Sequence, residues 1–415
     1  MKRFLIIIVI LAITVLVYSR PNAQEPAPQW WRVQSIDTMK YSRDPSREKL
    51  SDPSFDRVID SQVKQISETG ATHVAIGTPY DEEFVPILRR WVMAARRYGL
   101  NIWFRGNFSG WEKWFGYKAI TRDEHKEKTA KFIRENSDLF ADGDIFTPCP
   151  ECENGGPGDP RRSGDAGGHK AFLIDLHETA ENAFAATGVQ VESGFFSMNG
   201  DVARLIMDAE TTKALGGVVV VDHYVSSPKQ LKEDIIALVK QSGGLIVLGE
   251  FGAPIPDLHG PMDEDAQAAW IGESLRAVSQ VPEVIGVNYW TSVGGSTELW
   301  DSKGDSRLAV QVLKLFFTPN IVRGRVINEI GKPITQAFVS SDNRRVVSDQ
   351  AGNFTLPILD EQALLTIQAP GYDVKQAQIE KSNTEVTVRL TKQDESFWFK
   401  IRKFLYQLTE RVIIL

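Results

Sequence analysis

Glu250 is the one charged residue at the end of a buried-looking apolar run. The run, residues 245–249, has the length of a strand, and a turn that contains Gly252 and Pro254 follows it. A parallel strand covered on both faces is continuously apolar, so a lone charge at its carboxyl end marks where a barrel or an open sheet carries chemistry. A helix cap is the alternative role for Glu250, and this stretch alone does not decide between the two.

Strands and helices alternate along the chain from Trp30 onward. The helical pattern before Glu250 is the clearest, because Leu231, Ile235 and Leu238 form one apolar stripe. Apolar runs predict eight strands, at 31–36, 72–77, 101–105, 144–147, 189–196, 217–222, 245–249 and 284–289. Helical periodicity predicts eight helices between and after them, at 55–68, 82–98, 123–139, 171–186, 202–215, 228–241, 263–279 and 305–317.

This alternation over residues 30–317 predicts an α/β fold, a (β/α)8 TIM barrel, whose usual size is about 250 residues before insertions. A doubly wound open sheet is the second choice. It would normally carry a glycine-rich phosphate loop after its first strand, and neither common form of that loop occurs there. In a barrel, the catalytic groups lie at the carboxyl ends of the strands.

Polar and aromatic residues do follow most of the predicted strands. Glu151 and Glu250, after strands 4 and 7, would face each other across the barrel, as the two carboxyl groups that cleave a glycosidic bond must. Trp290 offers a flat face on which a sugar ring can stack. The candidate substrate-binding residues are Arg105, Asn107, Glu153, Asn199, His223, Tyr224, Tyr289 and Trp290.

Four of these positions carry a family resemblance. Glu151, Tyr224, the Gly-Glu-Phe-Gly motif at Glu250, and Trp290 resemble the clan of retaining (β/α)8 glycoside hydrolases that includes the cellulase and mannanase families. The resemblance implies that Glu151 is the acid/base and Glu250 the nucleophile. It also implies that Tyr224 holds the nucleophile and that Trp290 floors the subsite of the cleaved sugar.

The sequence departs from the clan at two places. The clan usually has Asn-Glu-Pro after strand 4, whereas this chain has Pro150-Glu151-Cys152, so Glu153 is an alternative acid. The clan's strand 6 histidine is displaced by one position, to His223. An inactive carbohydrate-binding barrel and a cell-envelope scaffold are therefore the alternative functions.

Cys149 and Cys152 are the only cysteines of the chain. A zinc site with His169 and His177 would have loose ligand spacing, and a thioredoxin-like site would need a different context. A disulfide is the better prediction for an exported protein. We expect no metal and no cofactor.

The first residues predict export. Lys2 and Arg3 precede an uncharged, almost wholly apolar run at 4–18, which is shorter than the roughly 20 residues that span a bilayer. Residues 1–20 are therefore interpreted as a signal peptide or an N-terminal membrane anchor, followed by a linker at 21–29. The protein is expected outside the cytoplasm, secreted or membrane-anchored. A formal net charge of −7 argues against a nucleic-acid partner.

The pattern changes after residue 320. Short strands separated by turns predict a small all-β sandwich at 321–391. Three segments, at 324–334, 349–354 and 370–372, resemble the carboxypeptidase regulatory-like, transthyretin-like domain, which implies an accessory role. The tail, 395–415, predicts a basic amphipathic helix that lies either in a membrane interface or on the protein's own surface.

Overall fold

A computed structural model describes residues 29–380 and 385–393. The expected export segment, nearly all of the linker and the amphipathic tail lie outside these residues. In the described part, no helix combines the length and the apolar character needed to cross a membrane.

Eight parallel strands form the first sheet. They are β1 (Val33–Asp37), β2 (His73–Ile76), β3 (Asn101–Phe104), β4 (Ile145–Phe146), β5 (Ser197–Asn199), β6 (Val218–Asp222), β7 (Leu245–Phe251) and β8 (Val284–Tyr289). Their order is β4-β3-β2-β1-β8-β7-β6-β5. A parallel bridge between Ile145 and Glu192, with the Phe146 amide donating to the Glu192 carbonyl at 2.9 Å, joins β4 to the segment before β5. The sheet therefore closes, and the predicted (β/α)8 barrel is confirmed.

Helices cover the outside of the barrel. They are α1 (Arg43–Glu48), α2 (Asp56–Ser67), α3 (Val85–Arg97), α4 (Ser109–Glu112), α5 (Arg122–Glu135), α6 (Pro160–Ser163), α7 (Ala166–Thr187), α8 (Gly200–Ile206), α9 (Ala209–Ala214), α10 (Pro228–Ser242), α11 (Pro256–His259), α12 (Glu264–Ser279) and α13 (Leu308–Phe317). Their apolar faces and the outer faces of the strands form one large buried cluster.

Three predicted elements differ from the structure. The strand expected at 189–196 is β5 at Ser197–Asn199, and only the bridge at Glu192 falls within the predicted range. The helix expected at 202–215 is two helices, because Asp208 accepts from the Thr211 amide and so begins α9 anew. Helix α7 begins five residues early, where the Asp165 side chain caps it ahead of two glycines.

The inside of the barrel has two layers. The layer toward the amino ends of the strands is apolar and includes Trp103, Phe195 and Val247 among a second buried cluster. The layer toward the carboxyl ends is polar and is centred on Arg105. Adjacent inward positions on a strand lie two residues apart, so Trp103 and Arg105 of one strand region occupy the two layers.

The C-terminal part is a small all-β domain, as predicted. Its strands are β9 (Asn320–Ile327), β10 (Phe338–Ser341), β11 (Arg344–Val347), β12 (Asn353–Ile358), β13 (Ala363–Gln368), β14 (Lys375–Ile379) and β15 (Glu385–Arg389). One sheet has the order β11-β10-β13-β14 and the other β12-β9-β15, and a separate apolar core is buried between them.

This domain contacts the barrel at the end opposite the carboxyl ends of the strands. The Arg344 guanidinium donates to the carbonyl of Trp30, which precedes β1, and lies 4.3 Å from the centre of that indole ring. Asn343 donates to the carbonyl of Ser279, which ends α12. The mouth at the carboxyl ends is thus left open.

Candidate active site

A cavity of about 430 Å³ opens at the carboxyl ends of the barrel strands. Carboxyl groups from β7 and from the segment after β4 meet there. The lining residues are Met39, Lys40, Ser42, Arg43, Asp44, Pro45, Gly77, Arg105, Asn107, Glu112, Trp114, Pro150, Glu151, Asn154 and Glu250.

Glu250 lies near the end of β7, and both of its carboxyl oxygens are held. Arg105 Nη2 donates to Oε1 at 3.2 Å, and the Tyr224 hydroxyl donates to Oε2 at 3.0 Å. Burial and the charge of Asp37 raise the pKa of Glu250 above its ordinary value, although the charge of Arg105 and the hydrogen bond from Tyr224 oppose this shift. Arg105 and Tyr224 thus stabilise the ionised form of this carboxyl.

Arg105 is itself the centre of the polar layer and is only 1% exposed at its side chain. Nη1 donates to Asp37 Oδ2 at 2.9 Å and to the Gly249 carbonyl at 2.9 Å. Nη2 lies 3.3 Å from Asp222 Oδ2 as well as contacting Glu250. Burial, followed by the charge of Glu250, raises the pKa of Asp222 well above its ordinary value. Three carboxyl groups therefore share one guanidinium.

Gly249 is required beside this cluster. A Cβ at this position would lie 2.3 Å from Asp222 Oδ1 and 2.7 Å from a methyl of Val220. The absence of a side chain lets the Gly249 carbonyl accept from both Arg105 and Asn288, at 2.9 and 2.8 Å. The glycine of the strand 7 motif thus serves the packing of the polar layer.

Glu151 lies in the loop after β4 with a left-handed backbone, φ 40° and ψ 52°. A non-glycine residue in this region costs roughly 1–2 kcal/mol, so its surroundings must hold it there. The disulfide between Cys149 and Cys152 brackets the residue, with Cα atoms 5.1 Å apart. The Glu151 amide donates to the Ser197 carbonyl at 2.8 Å. The predicted disulfide is confirmed.

The side chain of Glu151 accepts from two neutral amides. Asn199 Nδ2 donates to Oε1 at 3.1 Å and Asn154 Nδ2 to Oε2 at 2.9 Å. Burial, then repulsion from the charges of Glu250 and Glu153, raises the pKa of Glu151 to about 7. When the two carboxyl groups share one proton, Glu151 holds it, because only Glu250 has a cationic hydrogen-bond donor.

Glu153 is almost fully buried and is not among the cavity-lining residues. Its Oε1 accepts from the amide nitrogen of Asn199 at 2.8 Å and from Asn199 Nδ2 at 3.1 Å. Glu153 thus orients the asparagine that contacts Glu151.

Asn107 lines the cavity, but protein partners use its amide. Its Oδ1 accepts from the Phe108 amide at 2.8 Å and lies 3.0 Å from His125 Nε2. Its Nδ2 donates to Glu112 Oε1 at 2.7 Å and lies 3.7 Å from the Cys149 sulfur. Asn107 therefore positions Glu112 beside the disulfide loop.

Three further candidates from the sequence analysis, Trp290, His223 and Tyr289, differ in burial and in contacts. Trp290 is half-buried and packs edge-on against Tyr224, with ring centres 6.2 Å apart. His223 Nε2 lies 2.8 Å from Asp234 Oδ2 on α10. Tyr289 is fully buried and donates to the Thr297 carbonyl at 2.7 Å. Trp290, His223, Tyr289 and Tyr224 are all absent from the lining of the cavity.

Several residues of the site escape the sequence analysis. Asp37 is the last residue of β1, so the rule that catalytic groups lie at the carboxyl ends of barrel strands could have found it. Glu112 and Trp114 lie in an irregular segment well beyond β3, where no periodicity marks them. Lys40 follows β1 in a short turn and Arg43 begins α1, and this segment carries no recognisable motif. Within residues 29–380 and 385–393, no cluster of three acidic, histidine or cysteine side chains could hold a metal ion.

No protein-family model and no curated protein sequence matches this chain. Solved structures do resemble it. A GH5_18 protein from Bifidobacterium longum subsp. longum has a TM-score of 0.51 at 20% identity, over 73% of this chain and 85% of that one. A GH5_18 protein from Streptomyces cattleya, in complex with GlcNAc, has a TM-score of 0.51 at 15% identity, over the same shares.

A variant of the Bifidobacterium protein in complex with Manb1-4GlcNAc has a TM-score of 0.50 at 17% identity, over 73% of this chain and 84% of that one. At such low identity these likenesses show the fold. The chain therefore has the (β/α)8 fold that GH5_18 glycoside hydrolases also have.

Proposed function

We propose that this protein is an exported glycoside hydrolase that cleaves β-linked glycans with retention of configuration. One observation carries the proposal: Glu151 and Glu250 line the same cavity with different hydrogen-bond donors, a guanidinium and a phenol for Glu250 and two neutral amides for Glu151. Arg105 and Tyr224 stabilise a negative charge on Glu250, while burial and that charge keep a proton on Glu151. A retaining glycosidase needs one ionised and one protonated carboxyl.

In the first step, a Glu250 oxygen attacks the anomeric carbon and the bond to the leaving sugar oxygen breaks. Glu151 donates its proton to that oxygen, and its pKa of about 7 leaves about half of these carboxyl groups protonated at pH 7. In the second step, Glu151 accepts a proton from water, and the resulting hydroxide oxygen bonds to the anomeric carbon as Glu250 leaves. Both carboxyl groups return to their starting states.

The side-chain contacts support Glu151 over Glu153 as the acid/base. Glu151 lines the cavity, whereas Glu153 is buried behind it and bonded to Asn199. Trp290, packed on Tyr224, remains the proposed floor of the cleaved sugar's subsite. Tyr224, which donates to Glu250, would hold the nucleophile in its attacking position.

The experiment is an activity screen on β-linked oligosaccharides, with Manβ1-4GlcNAc among them, using wild type and Glu250→Gln. We expect Glu250→Gln to lose about 10⁴-fold or more in kcat with its fold intact. Glu151→Ala should lose less on a substrate with an activated aryl leaving group, and azide should restore turnover as a glycosyl azide of retained configuration. An inverted product would contradict the mechanism.

Two outcomes would favour the other functions. Saccharide binding without turnover by the wild type would indicate an inactive carbohydrate-binding barrel. A wild type that neither binds nor hydrolyses saccharides would favour a cell-envelope scaffold. The expected location outside the cytoplasm rests on the Lys2-Arg3 start and the apolar run after it, and recovery of the full chain from the cytosol of its native cell would contradict it.

A further inference from the structure

The segment after β3 presents an aromatic ring to the cavity. Trp114 is half-buried and lines the same cavity as Glu151 and Glu250. Its neighbours Lys113 and Phe115 both have left-handed backbones, with φ of 62° and 53°. Such strain in non-glycine residues persists only where the surroundings fix it, and it clusters at ligand-binding sites.

The neighbour Phe115 anchors this turn. Its ring lies 5.5 Å from that of Phe84, and the Arg47 guanidinium lies 4.6 Å from its centre. Phe115 packs against the core, whereas the neighbouring Trp114 lines the cavity. The Arg43 guanidinium, which also lines the cavity, lies over the Trp114 ring at 5.6 Å from its centre, and Arg43 has a left-handed backbone with φ 41°.

The same segment supplies a polar group. Glu112 ends α4 and lines the cavity, and Asn107 donates to its Oε1. Among the described residues, none donates a hydrogen bond to its Oε2 and none forms an ion pair with its carboxyl group. A largely desolvated carboxyl with one free oxygen is suited to accept from a ligand hydroxyl. Burial also raises the pKa of Glu112 to about 7.

We propose that Trp114 and Glu112 form a second sugar subsite, so that the preferred substrate has at least two sugar units. The indole stacks on the apolar face of a sugar ring, and Glu112 accepts from a hydroxyl of the same ring. Trp290 lies on the strand 8 side of the mouth, where it would hold the cleaved sugar. This inference rests on the proposed function, which it deepens by defining the length of the substrate.

The test compares two substrates of the sugar that the screen identifies. A glycosyl fluoride fills only the subsite of the cleaved sugar, whereas a disaccharide fills both. We expect Trp114→Ala to lower the ratio of kcat/KM for disaccharide over fluoride about tenfold. Trp114→Phe should retain most of that ratio, and Glu112→Gln should lower it about fivefold through the weaker, uncharged acceptor.

Phe338→Ala is the matched control, because this aromatic is 36% exposed on the C-terminal domain. It should leave both substrates unaffected. An unchanged ratio in Trp114→Ala would overturn the second subsite.

Calorimetric binding separates this inference from the proposed function. If the wild type hydrolyses no substrate of the screen, Manβ1-4GlcNAc is the disaccharide used, and binding that weakens about tenfold in Trp114→Ala still supports the subsite. A disaccharide that does not bind, or that binds equally to both proteins, would overturn it.

Discussion

The two layers inside the barrel are formed by the same strands, but one lies toward their amino ends and the other toward their carboxyl ends. The lower layer, toward the amino ends, is apolar and closely packed around Trp103, whose Nε1 donates to Thr147 at 2.8 Å. The upper layer places three carboxyl groups around Arg105 and leaves buried oxygens of Asp37 and Asp222 without hydrogen-bond partners among the described residues. The first arrangement favours stability, whereas the second has an electrostatic cost that a substrate site explains.

The largest effect on stability is therefore expected in the lower layer. Trp103→Ala removes a fully buried indole and should lower the free energy of unfolding by about 3–5 kcal/mol. Trp103→Phe, which retains a ring, is the matched control and should cost less. Denaturant unfolding measures both variants. A cost below about 1 kcal/mol for Trp103→Ala would contradict the assignment of this layer to stability.

In the loop above the upper layer, removing the charge of Glu151 should increase stability. Glu151 has a folded pKa of about 7, above the ordinary value near 4.5, so ionising it opposes folding. The penalty is absent below pH 4.5, grows as the pH rises to 7 and is complete above that. The free energy of unfolding of Glu151→Gln should therefore exceed that of the wild type by about 2–3 kcal/mol at pH 8. At pH 4 the two free energies should be nearly equal.

Thermal and denaturant unfolding of Glu151→Gln at the two pH values provide the measurement. Asn154→Ala is a useful control, because it removes a donor to Glu151 and leaves the charge in place. An equal difference from wild type at pH 4 and pH 8 would show that the ionisation of Glu151 does not oppose folding.

The (β/α)8 barrel could be predicted from the sequence, because apolar runs of strand length alternate with helical periodicity. Glu250 could be predicted for the same reason, as the one charge that breaks the apolar run of β7. The strand expected at 189–196 was misplaced because Val189, Val191, Phe195 and Phe196 give this segment a strand-like pattern, yet it pairs through only one bridge, at Glu192. The local sequence pattern does not show which of two adjacent segments pairs with a neighbouring strand.

The partners of the site residues could be predicted only in part. Arg105, Tyr224 and Glu250 were all expected at the carboxyl ends of barrel strands, and the family resemblance implied that Tyr224 holds Glu250. The roles of Asn107 and Glu153 as positioning residues depend on hydrogen bonds to Glu112 and Asn199, which are set by tertiary packing. The irregular segment that carries Trp114 has no period, so nothing in the sequence places its ring at the cavity.

A smaller effect is expected from opening the disulfide loop. The double variant Cys149→Ser, Cys152→Ser removes a four-residue loop constraint and should cost about 2 kcal/mol of stability or less. Turnover should fall about tenfold, because the left-handed Glu151 loses the bracket that orients its carboxyl. Kinetics before and after adding a reductant give the check: the wild type should slow, and the variant should not respond. Full activity in the double variant would show that other contacts suffice to hold Glu151.

The smallest effect should come from the contact that closes the lower end of the barrel. Arg344 of the C-terminal domain is half-buried over Trp30, and burial lowers the pKa of its guanidinium. Arg344→Ala removes this cation–π contact together with the hydrogen bond to the Trp30 carbonyl, so we expect a loss of about 1 kcal/mol in the unfolding of the barrel. Arg345→Ala is matched to it, since the exposed Arg345 covers Phe338 within its own domain. If both variants unfold alike, the C-terminal domain does not stabilise the barrel through Trp30, and the stability of the lower end comes from its apolar layer alone.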